Sequence, residues 1–198
     1  MKGLLALVFS IAVVPAIAQR VSAGVKGGVA LTDAFSDQTS FFPNSSSHFL
    51  SESKDYIVGP MVELHLPLSL SVEFDALYRP LYITGIIFCT VCPSSTLSGT
   101  MQSWEFPLLG KFRLPTPLIK PTIEVGPSFR SVGSFPYNVA TLSAHGFTVG
   151  GGVEIKLRWL RTGPEIRYTR WGADTVPFPG YIPTSNRNQV EFLMGLSF

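Results

Sequence analysis

Apolar residues recur on a two-residue period along almost the whole chain, and the pattern is clearest in its last nine residues, VEFLMGLSF. Val190, Phe192, Met194, Leu196 and the terminal Phe198 share one phase, while Glu191, Gly195 and Ser197 share the other. Successive side chains of a strand point to opposite faces, so this stretch is a strand with one apolar and one polar face. The same reading predicts seven earlier strands. Their polar phases carry Ser22, Gly24, Lys26 and Gly28; Gly59, Glu63 and His65; Ser71, Glu73, Asp75 and Arg79; Ser103, Glu105 and Lys111; Thr122, Glu124, Gly126 and Arg130; Thr148, Gly150, Gly152, Glu154, Lys156 and Arg158; and Glu165, Arg167 and Thr169.

The start of the chain says where such strands would go. Met1-Lys2 is a short basic opening, Leu4 to Val14 an apolar run, and Ala16-Ile17-Ala18 a small-x-small site, which together predict a secretory signal peptide over residues 1–18, cleaved after Ala18. The run is shorter than the roughly 20 residues of a spanning helix. The residue directly after the cleavage site is Gln19, not cysteine, so a lipid anchor is not indicated. Residues 19–198 contain no linker-like or low-complexity break and are expected to form one domain. Charged residues make up only 14% of the chain and the formal net charge is +2, with basic residues scattered instead of clustered. That excludes a nucleic-acid binder.

Alternation alone does not say which face is the interior, because a soluble carrier barrel shows the same period. Volume decides it: eight strands offer about forty apolar side chains on one phase, whereas a packed eight-stranded barrel core holds about a dozen. Most must point outward, toward lipid. The polar phase, rich in glycine, then faces a crowded lumen. The fold class is all-β, an eight-stranded antiparallel up-and-down transmembrane β-barrel. With both ends on the periplasmic side, parity makes the three short connections periplasmic, among them the tight Leu66-Pro67-Leu68-Ser69 turn and the Leu114 to Pro121 segment. The four longer ones, around Thr32 to Lys54, Ile83 to Thr100, Ser131 to Gly146 and Gly172 to Arg187, face outward, the asymmetry of an outer-membrane barrel. Pro60, Pro80, Pro107, Pro127 and Pro164 fall in or at the ends of these strands, where bulges or strand ends are expected to absorb the missing donors.

Several segments resemble the small outer-membrane β-barrel domain family, which includes PorT-like barrels and is similar in architecture to OmpA and OmpX. They are Gly24-Val25-Lys26-Gly27-Gly28-Val29, Trp104-Glu105-Phe106-Pro107-Leu108-Leu109, Val125-Gly126-Pro127, Thr162-Gly163-Pro164-Glu165 and the aromatic terminus. The resemblance implies a bacterial outer-membrane location, lipid and lipopolysaccharide as surroundings, and recognition by barrel-assembly machinery through the C-terminal strand, with Phe198 as the assembly signal. It brings no catalytic residue and no cofactor.

Seven of the eight glutamates lie on the inward phase, Glu63, Glu73, Glu105, Glu124, Glu154, Glu165 and Glu191, together with Asp75 and the cations Lys26, Arg79, Lys111, Arg130, Lys156 and Arg167. Charges in so narrow a space are costly unless paired, which predicts a structural network that plugs the lumen. Closure of the last strand on the first is expected to bring Glu191 toward Lys26. No two of His48, His65 and His145 have metal-ligand spacing, so no metal site is expected. Ser143 near His145, and Ser46 and Ser47 beside His48, are the candidates for a lipid-modifying enzyme, but no carboxylate to orient either imidazole is evident. Cys89 and Cys92, the only cysteines, are expected to form a loop-stiffening disulfide in an exported protein. Aromatics in the outer loops, Phe41, Phe42, Phe49, Phe178 and Tyr181, suit an unknown extracellular ligand. The sequence therefore favours a non-enzymatic barrel with a structural or recognition role, with a lipid-modifying enzyme and a narrow pore as alternatives.

Overall fold

A computed structural model of the chain describes residues 21–42, 44–51, 56–89, 93–117, 119–133, 142–174 and 185–198. The expected signal peptide and its cleavage site lie outside these residues. The strands are β1 (Val21–Ala30), β2 (Gln38–Phe42), β3 (Ser45–Ser51), β4 (Tyr56–His65), β5 (Leu70–Asp75), β6 (Leu77–Cys89), β7 (Ser95–Arg113), β8 (Ile119–Val132), β9 (His145–Leu157), β10 (Leu160–Trp171) and β11 (Asn188–Ser197). All pairings are antiparallel. β1 pairs with β4 on one side and β11 on the other, which closes the sheet into a barrel. β5 and β6 follow one another along a single stave, both paired with β7, so the barrel has eight staves.

Burial along the staves is inverted relative to a water-soluble barrel. In β8, Ile123 is 59% exposed and Val125 45%, whereas Glu124 is 2% exposed and Arg130 5%. The apolar phase points out on every stave, as the volume argument requires, and the polar phase is sealed inside. The Leu66–Ser69 turn forms as expected, with Leu68 and Ser69 both at a φ of 63° and the Leu66 N–H donating to the Leu70 carbonyl at 2.9 Å.

The outer end differs from expectation. Much of the 32–54 and 83–100 connections is strand: β6 and β7 stay paired up to Ile87 opposite Ser95, and the β2–β3 hairpin adds itself to the edge of this extension, Ser45 opposite Cys89 and Ser51 opposite Ile83. The period-two signal fails there because Ile86, Ile87 and Phe88 form a run that is apolar on both phases. Backbone pairing needs no such contrast.

The prolines also differ from expectation. Register is unchanged across Pro60, from Met61 opposite Asp75 to Val58 opposite Tyr78, and across Pro164, from Thr162 opposite Ile155 to Glu165 opposite Gly152. No bulge is needed. In an antiparallel ladder each residue bonds to one neighbour only, so a proline removes one donor on one side while the other ladder continues. Pro60 keeps its acceptor in use, receiving the Ala76 N–H at 3.0 Å.

Closure itself depends on a small residue. A Cβ at Gly24 would lie 2.1 Å from the Leu196 carbonyl oxygen, inside the β1–β11 seam. Gly24→Val is expected to abolish the compact, fast-migrating form in unheated gel samples, while Gly110→Val, where a Cβ would meet nothing nearer than 3.6 Å, retains it.

Candidate functional site

The inward phases of the staves meet in the lumen as three polar layers beneath an apolar cap. In the central layer, the Arg167 guanidinium of β10 donates to Glu124 Oε1 at 2.6 Å, Asp75 Oδ2 at 2.7 Å and Glu73 Oε1 at 2.7 Å, and lies 3.0 Å from Glu165 Oε1. Lys26 of β1 contacts Glu73, Asp75 at 3.3 Å and Glu165 at 2.7 Å. Lys111 of β7 contacts Glu73 at 2.7 Å, Glu124 at 3.1 Å and Glu165 at 3.3 Å. Three cations and four carboxylates thus bind five staves together. Oxygen atoms of Glu73, Glu124 and Glu165 lie within 4.8 Å of one another, a spacing that would suit a metal ion. The Lys111 ammonium already contacts all three.

The layer below faces the short turns. Arg113 pairs with Glu63, donates through Nε to Glu154 at 2.7 Å and through Nη1 to Ser71 at 2.7 Å, while Arg161 bonds the His65 ring. Above the centre, Arg79 donates to Gln189 at 2.8 Å and Glu191 at 3.0 Å and lies 3.8 Å from Glu105. Trp171 donates its indole N–H to Gln189 at 3.1 Å, and the Arg130 guanidinium lies 4.3 Å from the Trp171 ring centre. Ser128, Thr148 and Thr169 form a hydroxyl chain at 2.6 and 2.7 Å beside them.

The cap is a buried cluster of Ala34, Phe35, Leu81, Ile83 and Met101. The chain leaving β1 contributes Ala34 and Phe35, while β6 and β7 turn inward the residues that continue the phase of Arg79 and Ser103. The parity was readable, but a change from polar to apolar on the inward phase leaves no contrast to detect. Arg113 was missed because the predicted fourth strand stopped short of it, although it shares the phase of Lys111.

The structure brings together most of the predicted network and corrects it at three points. Lys156 is exposed at the mouth and makes no ion pair among the described residues. Its position one residue from the end of β9 carries it out of the lumen. Arg130 is buried on the inward phase as expected and stands opposite Glu105 in the β7–β8 register, but it makes no ion pair among the described residues and donates to the Ser143 carbonyl at 3.1 Å. Lys26 sits opposite Gly195, not Glu191, because the stagger of β1 on β11 places Glu191 opposite Ala30, level with Arg79.

In neither Ser–His candidate does a serine hydroxyl bond the histidine ring among the described residues. Ser143 donates its hydroxyl to the His145 backbone carbonyl at 3.1 Å, and the His145 ring packs edge-on to Phe129. His48 lies in β3 opposite Ile86 of β6, with Ser46 and Ser47 in the same strand. Cys89 ends β6 and is disulfide-bonded, while Cys92, Phe178 and Tyr181 lie outside the described residues.

No family description and no curated protein matches the chain. Among solved structures it is similar to the crystal structure of the outer membrane protein OprG from Pseudomonas aeruginosa, with a TM-score of 0.58 at 13% identity, covering 90% of this chain and 96% of that one. The fold is that of an outer-membrane β-barrel. At that identity the likeness is one of architecture.

Removing one central cation leaves buried carboxylates uncompensated, a cost of about 3–5 kcal/mol. Arg167→Met is therefore expected to lower urea stability in lipid vesicles by that amount, whereas Lys156→Gln stays within about 0.5 kcal/mol of wild type, as an exposed change should.

Proposed function

We propose that the chain is an integral outer-membrane β-barrel protein whose plugged lumen serves as a rigid support and whose outer hairpin and loops carry a structural or recognition role, adhesion included. The observation that carries this reading is the inverted burial combined with a lumen closed by ion pairs and an apolar cap. Apolar side chains exposed around all eight staves are stable in a lipid surround and costly in water. An interior filled by three salt-bridged layers leaves no continuous water path.

The signal-like start, with cleavage after Ala18, supports export, and the exposed Phe198 in phase with the lipid-facing residues of β11 supports assembly through the C-terminal strand. The segments that resemble PorT-like and OmpA–OmpX-like barrels favour the same small-barrel class. Recognition is favoured over catalysis by two features. The Ser143 hydroxyl is committed to backbone beside His145, and the β2–β3 hairpin stands on the rim with Phe41 82% exposed, in register with Phe88 of the adjoining extension through Ser46 between them. Exposed aromatics on a firmly paired hairpin can anchor a partner with little ordering cost.

Membrane fractionation and gel mobility test the reading together. The protein is expected in the outer-membrane fraction, with a compact form that converts to a slower one on boiling; a soluble, non-convertible protein contradicts it. In planar bilayers the purified barrel is expected to show no stable, large conductance.

A further inference from the structure

We propose that the periplasmic mouth of the barrel is a binding site for a phosphate-bearing anion, formed by Lys120, Lys156 and Arg161. The three short connections, β4–β5, β7–β8 and β9–β10, enclose there a cleft of about 210 Å3 whose charged and titratable lining consists of His65, Arg113, Lys120, Glu154, Lys156 and Arg161. Four side chains with permanent positive charge face one carboxylate.

That carboxylate is already used. Glu154 accepts from Arg113 Nε at 2.7 Å, and Arg113 also pairs with Glu63, so Arg113 and its two acids together keep one negative charge, which the three other cations outweigh. Lys120, Lys156 and Arg161 make no ion pair among the described residues, although Lys120 stands opposite Glu154 across the β8–β9 ladder. Lys156 and Arg161 are moreover directly opposite one another across the β9–β10 ladder. Like charges in that position destabilise a sheet unless something between them is negative. Arg161 does have one bond, to the His65 ring nitrogen, which therefore acts as acceptor and adds no negative charge.

Elsewhere in this lumen every central cation has at least two carboxylates. The mouth lacks them on three cations that come from three neighbouring strands. Three donors of this kind fit the several oxygens of a tetrahedral phosphate group better than the two of one carboxylate, because each N–H···O bond to an ionised oxygen is charge-assisted. Leu66, Leu70, Leu114 and Pro115 form the apolar part of the rim, so the group is either free in the periplasm or carried by a lipid of the inner leaflet. That the mouth faces the periplasm rests on the orientation proposed above.

Titration calorimetry on the folded full chain in neutral detergent tests the site, with inorganic phosphate in one arm and micelles doped with phosphatidylglycerol in the other. One saturable equivalent per barrel is expected in at least one arm, phosphate identifying a soluble source and phosphatidylglycerol alone a headgroup. Lys156→Gln and Arg161→Gln should each weaken binding about tenfold, the loss of a charge-assisted bond, and Arg170→Gln at the outer end should not. On the wild-type protein alone, sulfate should displace the anion and chloride at equal ionic strength should not. No saturable binding, equal binding by the variants, or equal displacement by chloride overturns the site. Heat-modifiable mobility of the same sample separates this outcome from failure of the barrel reading, which would show as loss of the compact form.

Discussion

An ionised group inside a narrow barrel has little bulk water to relieve it, so the charges of the central cluster find partners across the lumen on other staves. Arg167 makes the consequence concrete. Its guanidinium takes carboxylates from β5 and β8 as well as from its own strand, Lys26 reaches from β1 to β5 and β10, and Lys111 reaches from β7 to β5, β8 and β10. The pairing is therefore a set of cross-braces over the diameter, acting where the ladder hydrogen bonds act only between neighbours. Space for the braces is provided by inward small residues: a Cβ at Gly150 would lie 2.6 Å from the Glu124 oxygen that Arg167 uses.

The lumen is graded along its axis. An apolar cap at the outer end gives way to Arg79 and its amide and carboxylate partners, then to the dense central cluster, then to Arg113 and the wetter mouth. This grading follows from what each end faces. The cap is built from chain that returns from the outer loop, where Phe35 bridges to Ser185, so it closes the end most exposed to the surroundings. The short turns at the opposite end cannot fold inward, and the mouth stays open and charged.

Sequence patterning revealed the eight staves, their phases and most of the lumen because lipid outside and charge inside create strong contrast at a two-residue period. Glu63, Glu73, Glu124, Glu165 and Arg167 could be placed from parity alone. Features without that contrast were illegible. Leu77, Leu81 and Ile83 point inward yet are apolar, and the Ile86 to Phe88 extension is apolar on both sides. Partner identity was also hidden, since parity gives a residue's face and not its height. Glu191 meets Arg79 instead of Lys26 because the stagger between β1 and β11 is a property of the closed barrel. The prolines were legible as positions but not in effect: continuous register across Pro60 and Pro164 reflects the independence of the two ladders a strand serves.

The central claim is that one phase of each stave faces lipid and the other a sealed interior. Spin labels placed singly from Ile123 to Phe129 along β8, in lipid vesicles, test it most directly through collision with oxygen, which partitions into lipid, and with a water-soluble nickel chelate. The account predicts that Ile123, Val125, Pro127 and Phe129 positions collide with oxygen and not the chelate, while Glu124, Gly126 and Ser128 positions are shielded from both. Chelate access at the even-numbered positions, or the same response at every position, would contradict it.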